Sequence, residues 1–179
     1  MGLVGFGQMY KEKTMKKYTL SVLVENTAGV LSRISGLFAR RGYNIDSLAV
    51  GETDTPELSR MTIIVKCDDQ ALIQITEQLK KLVCVKTVKI LSPESSVISE
   101  FFLVKVKANL QNRSEIIQVA SIFRAKIIDV TPKTMTLEIT GEGDKTSALL
   151  ELLRDFGILE VVRTGSIALE RGEATIYGE

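Results

Sequence analysis

The chain has 179 residues, 45% hydrophobic and 25% charged, with 23 Lys and Arg against 22 Asp and Glu for a net charge of +1. That balance suits one medium domain or two small ones, and it offers no concentrated basic face for nucleic acid. Histidine and tryptophan are absent, which removes the commonest general base, any Ser-His or Cys-His pair and the usual zinc ligand, and leaves carboxylate or lysine chemistry open.

The opening Met1-Gly2-Leu3-Val4-Gly5-Phe6-Gly7 is too short for a signal-peptide core and lacks a basic start. No segment reaches the apolar length needed to span a bilayer, so no membrane contact and a cytoplasmic location are expected. Residues 1–17 read as an N-terminal extension. Leu20, Val22 and Val24 then alternate with Ser21, Leu23 and Glu25, the period of a strand over 18–25 with one well-buried face. Val30, Ile34, Leu37 and Phe38 recur at helical spacing over 29–41, and Gly42 follows as a C-terminal stop. The turn between strand and helix holds Asn26 and Gly29 and exposes the unpaired N–H groups of a new helix. Such donors suit a carboxylate, and a residue without Cβ lets it approach the main chain. Taken alone the turn also reads as a plain cap, since Asn is a preferred N-cap.

A second strand is predicted over 43–52, with Leu48 and Val50 on one face. Thr53-Asp54-Thr55-Pro56 makes a turn, and Met61, Ile63 and Val65 mark a third strand. Asp68 and Asp69 open a helix striped by Leu72, Ile75, Leu79 and Leu82, and Val83 to Leu91 closes the unit as a fourth strand. Ser92-Pro93-Glu94-Ser95-Ser96 begins a polar linker, taken as 92–99. The same order then returns over 100–172. Phe102, Val104, Val106 and Ala108 alternate with lysines, and Asn112 or Ser114 starts a helix. Two strands near 126–131 and 134–140 precede a helix stopped by Gly157 and a long strand from Ile158 to Leu169. Residues 173–179 read as a tail. Gln111-Asn112-Arg113-Ser114 reads as a capped helix start rather than a ligand loop. Cys67 and Cys84 form no Cys-x-x-Cys unit and read as small, reduced core thiols.

Two β-α-β-β-α-β sandwiches in tandem leave one sheet face of each without a helix. Units this small bury little core alone, so the bare faces or edges are expected to pair, between domains or between chains as a homodimer.

Several stretches carry a resemblance. The first unit resembles an ACT domain, a ferredoxin-like module that senses small ligands, often amino acids. Over about 17–172 the chain resembles the small regulatory subunits of acetohydroxyacid synthase, also called acetolactate synthase. The stretches are LSVLVEN from Leu20, GVLSRISGLF from Gly29, RGYNIDSL from Arg41, LSRMTI from Leu58 and FRAKIIDVTP from Phe123. Arg163-Thr164-Gly165 and Ala168 to Gly172 resemble the family's ending. The resemblance implies an α+β fold, two ferredoxin-like βαββαβ sandwiches, an ACT domain at 18–91 and a dimerisation and subunit-contact domain at 100–172. It implies no catalysis and no cofactor in this chain. It further implies, as partner, a large catalytic subunit carrying thiamine diphosphate, Mg and FAD, which such a small subunit activates and places under feedback inhibition by valine. Asn26, Gly29, Val30 and Leu31 match the family's effector loop, and Asn44 and Ile45 match a second wall supplied across the dimer. A stand-alone amino-acid-responsive regulator is the alternative. An RNA reader with the same element order needs outward aromatics on its central strands, where Leu20, Val22, Met61 and Ile63 stand instead.

Overall fold

The computed structural model describes residues 14–178; the Gly-rich opening lies outside the described residues. In the first unit, β1 (Lys16–Glu25), β2 (Ile45–Glu52), β3 (Leu58–Cys67) and β4 (Val85–Leu91) form an antiparallel sheet in the order β2-β3-β1-β4. Helices α1 (Val30–Arg40) and α2 (Asp69–Lys80) cover one face. Leu20, Val22 and Val24 of β1 meet Met61, Ile63 and Val65 of β3 beneath Val30, Ile34, Leu37 and Phe38 of α1, the four apolar positions that the helical spacing picks out. Asp68 caps α2 by accepting from Ala71 N at 2.7 Å, as its place before the apolar stripe requires.

The second unit repeats the plan. Strands β5 (Ser96–Lys107), β6 (Lys126–Val130), β7 (Thr134–Gly141) and β8 (Ile158–Glu170) pair in the order β6-β7-β5-β8. Helices α3 (Arg113–Phe123) and α4 (Gly143–Arg154) close a core around Phe102, Val104, Leu137, Ile116 and Leu149. The fold is thus two ferredoxin-like βαββαβ sandwiches in tandem.

Several boundaries differ from the sequence reading. Strand β2 starts at Ile45 because Gly42 and Tyr43 are spent closing α1: Gly42 N donates to Ala39 O at 3.1 Å and Tyr43 N to Phe38 O at 3.0 Å. Strand β4 starts at Val85, and Val83 stands almost fully exposed in the preceding turn. Cys84 is buried just outside it, where its carbonyl accepts from Glu25 N at 2.8 Å. Strand β5 begins at Ser96, within the stretch read as linker, since Ser96 already pairs with Glu170. Two residues read as tail are held in place: Ile176 is only 2% exposed, and Thr175 O accepts from Lys89 Nζ at 2.7 Å.

The larger departure concerns the helix-free face of the first sheet. The alternation in β1 predicts a single buried face, yet Thr19, Ser21 and Leu23 are buried as well as Leu20, Val22 and Val24. The cover comes from the second unit. Strand β5 pairs with β7 only from Glu100 onward, whereas Ser96–Ser99 pair with β8 alone. This two-stranded ribbon reaches over the first sheet along β8. Ala168 N donates to Thr62 Oγ1 at 3.3 Å, Ser166 N to Ser47 Oγ at 3.1 Å, and Arg60 Nη2 to Ala168 O at 3.2 Å. Polar residues therefore belong on this face, because each must satisfy a neighbouring strand away from water. The comparison with an RNA reader also needs correcting: Leu20, Val22, Met61 and Ile63 face the helices. Thr19, Ser21, Leu23, Thr62 and Ile64 face the other way, none is aromatic, and all are buried.

Candidate functional site

The β1–α1 turn departs from the cap reading. The N-cap of α1 is Gly29 at φ +84°, not Asn26; no side chain bonds the helix start, and its first turn holds no acid. A left-handed φ at this corner favours glycine, and the result is a helix mouth whose first N–H groups meet no side-chain acceptor. Val30 N donates only a long 3.4 Å bond to Thr27 O. The Val30 side chain is 3% exposed and belongs to the core, so main-chain N–H is all it can present to a ligand; Leu31 is 44% exposed beside it.

Asn26 is held from three sides. Its N–H donates to Glu57 O at 2.7 Å, and its Nδ2 donates to Pro56 O at 2.8 Å and to Glu52 Oε2 at 3.2 Å. Both amide hydrogens are committed, which fixes the Oδ1 orientation and leaves that oxygen as an acceptor. Glu52 and Pro56 are the residues that sequence reasoning missed. Their only signal is position, at the end of one strand and in the turn that follows it.

Asn44 lies elsewhere. It precedes β2, where Ile45 pairs with Val65, whereas Asn26 follows Glu25, which pairs with Leu58. The two asparagines thus sit at opposite ends of β3, roughly 20 Å apart at about 3.3 Å per residue. One chain does not bring them together. Asn44 is exposed, and its Nδ2 donates to Asp46 Oδ1 at 3.0 Å. It lines a cleft of about 450 Å³ with Tyr43, Lys66, Asp68 and Gln74. Ile45 is half-buried and packs against the core.

Burial pushes the Cys67 thiol up, with Asp68 and Asp69 adding to it, so it is a poor nucleophile. Among the described residues, no three His, Cys, Asp or Glu side chains gather as a metal site. No helix of the described residues is long and apolar enough to cross a membrane.

Comparison with known proteins agrees with this architecture. Residues 20–87 match the family model of the AHAS small subunit-like ACT domain, and 99–172 match that of the small subunit of acetolactate synthase. The acetolactate synthase small subunit of Mycobacterium bovis is 48% identical over 157 residues, covering 88% of this chain and 94% of that one. The chain belongs to the acetolactate synthase small-subunit family. A Methanothermobacter thermautotrophicus protein named "probable acetolactate synthase small subunit" is 51% identical over 160 residues, 89% of this chain and 95% of its own. The crystal structure of the Thermotoga maritima small subunit superposes with a TM-score of 0.83 at 42% identity, covering 89% of this chain and 99% of that one.

Proposed function

We propose that this chain is a non-catalytic regulatory subunit of acetolactate synthase. It joins a large catalytic subunit that carries thiamine diphosphate, Mg and FAD, raises its activity and confers feedback inhibition by a branched-chain amino acid, valine foremost. Family membership supports the subunit role. The observation that carries the effector role is the mouth of α1, led by Gly29 and free of side-chain caps, beside an Asn26 whose amide is anchored with Oδ1 left over.

The effector's carboxylate takes the N–H groups of Gly29, Val30 and Leu31, where the helix dipole favours negative charge. Its ammonium meets Asn26 Oδ1 and Asn44 of the partner subunit. Neutral amides orient an ammonium without leaving a charge unpaired when the site is empty. Strand β2 is an edge of its sheet, and two copies joined antiparallel along β2 bring the Asn44 end of one to the Asn26 end of the other. That geometry turns the separation within one chain into proximity between two. Burying a valine side chain against Ile45 and Leu31 contributes about 1.5–3 kcal/mol. Because the site spans two copies, binding biases their arrangement, and a coupling of roughly 1–3 kcal/mol to the catalytic subunit is typical of such linkage.

The test is reconstitution. The chain is co-purified with a large subunit and assayed for acetolactate formation from pyruvate, with and without valine, leucine and isoleucine. The expected result is higher turnover with the chain present, lowered by valine. Gly29→Asp puts a fixed carboxylate where the effector's would dock, and is expected to keep activation while abolishing inhibition. A complex indifferent to all three amino acids would overturn the effector role. Valine binding without co-purification would favour the stand-alone regulator instead.

A further inference from the structure

The ribbon and the first sheet also enclose a space whose lining meets the α1 site only at Glu52. Strands β2 and β3 form one side of a groove of about 730 Å³, and the paired ends of β5 and β8 form the other. Its walls are mainly apolar, with Leu48 and Val50 on one side, Val97, Ile167 and Leu169 on the other, and the acidic residue Glu52 also in the lining; of the five apolar residues all but Leu48 are 43–57% exposed. One guanidinium, that of Arg60, lies among them.

Arg60 is half-buried, and its hydrogen-bond partners among the described residues are neutral. Its Nε donates to Ser21 Oγ at 2.9 Å and its Nη2 to Ala168 O at 3.2 Å. Glu170, the acid whose charge it feels, is committed to Lys89 at 2.8 Å. Among the described residues Arg60 makes no ion pair, and burial lowers its pKa. A partly desolvated guanidinium usually has a carboxylate opposite it, because its charge is otherwise uncompensated. The two bonds that Arg60 does make fix its plane and hold it in place, so little freedom is lost when an anion arrives.

We propose that the groove between β2 and the β5–β8 ribbon is a binding site for a small aliphatic carboxylate, with the anion on Arg60 and the hydrocarbon against Val50, Val97, Ile167 and Leu169. A planar guanidinium whose Nη1 makes no hydrogen bond among the described residues suits a carboxylate, and the lining offers no second cation. Glu52 lines the groove and also anchors Asn26, so the two sites are neighbours that differ in their anion donors: main-chain N–H groups for a zwitterion at the α1 mouth, and the Arg60 guanidinium here. The groove joins both units, so an occupant ties the ribbon to the sheet it covers.

The experiment titrates the full-length chain with isovalerate by ligand-observed NMR and calorimetry, with 3-methyl-1-butanol as the uncharged isostere. Saturable binding of one isovalerate per chain, not displaced by the alcohol, is expected. Arg60→Met keeps the apolar stem and is expected to weaken binding at least tenfold, with Arg60→Lys in between. Arg60 also bridges Ser21 to Ala168, so Val97→Glu serves as a second variant. It leaves those bonds intact, sets a like charge in the wall, and should weaken binding similarly. Gly29→Asp should leave isovalerate affinity within twofold. Absence of saturable binding overturns the proposal, as does binding indifferent to Arg60→Met and Val97→Glu, or lost with Gly29→Asp. If Val97→Glu instead dissociates a dimer and isovalerate never binds, a second copy covers the groove and the proposal falls.

Discussion

At the start of β1, Tyr18 and Lys16 reach across to Asp69 in the first turn of α2. The Tyr18 hydroxyl donates to Asp69 Oδ1, and Lys16 Nζ lies 3.2 Å from Asp69 Oδ2. The tyrosine hydrogen bond, then the lysine, hold the Asp69 carboxyl below its ordinary value of 3.8, while the same bond pushes Tyr18 from 10.0 up to about 12. The signs set a window. Asp69, depressed on folding, contributes above the ordinary carboxylate range and loses its contribution as pH falls through the folded value. Tyr18, raised on folding, contributes below 10.0 and loses its contribution as pH rises toward 12. Asp69→Asn should therefore bring the Tyr18 phenol back toward 10.0, measured as the phenolate absorbance difference between each chain and its Tyr18→Phe counterpart. An unchanged midpoint would mean that the bond does not form in solution. Neither this contact nor the Asn26–Glu52 bond was legible in the sequence, because both join residues far apart along the chain. Asn26, Gly29 and Asn44 were legible as residue types, but whether Asn26 or Gly29 caps the helix depended on a backbone angle that sequence does not display.

The elements themselves were largely legible, since apolar period and punctuation specify them locally. Helix α1 shows why. Its stripe of Val30, Ile34, Leu37 and Phe38 is buried, and Gly42 at φ +70° ends it with the paired Ala39 and Phe38 carbonyl bonds of a Schellman motif. A Cβ on Gly42 would meet nothing within 4 Å, so the penalty of a side chain there is backbone strain alone. Gly42→Ala is expected to cost about 1 kcal/mol, a fall in Tm of roughly 2–4 °C in a chain of this size. Gly42→Asn should recover part of that loss, since Asn tolerates the left-handed region. Thermal unfolding of the three chains checks the order. Strand starts were less legible where one residue serves two elements. Tyr43 looks like strand by type but closes α1, and Ser96 looks like linker but opens β5.

How the two units sit together was not legible, because a polar strand face reads as solvent-facing until its partner is known. Thr62 and Ser21 are polar yet buried, and their hydroxyls answer Ala168 and Arg60. The hinge of this arrangement is Gly165, at φ +78° beside the break in β5–β8 pairing between Glu100 and Phe102. A Cβ there would lie 2.6 Å from Ser47 Oγ and 3.4 Å from Leu48 O, so the close approach of β8 to β2 requires its absence. Gly165→Ala should cost roughly 1–3 kcal/mol, from the left-handed φ and from the overlap together. Ser47→Ala alone should cost about 1 kcal/mol by removing the acceptor for Ser166 N. Combined, the two should destabilise less than their sum, because removing Oγ clears the space the new methyl needs. Urea unfolding of the single and double variants measures that coupling. Strict additivity would mean that β8 does not press on β2 at Gly165, and that the ribbon rests on the first sheet some other way.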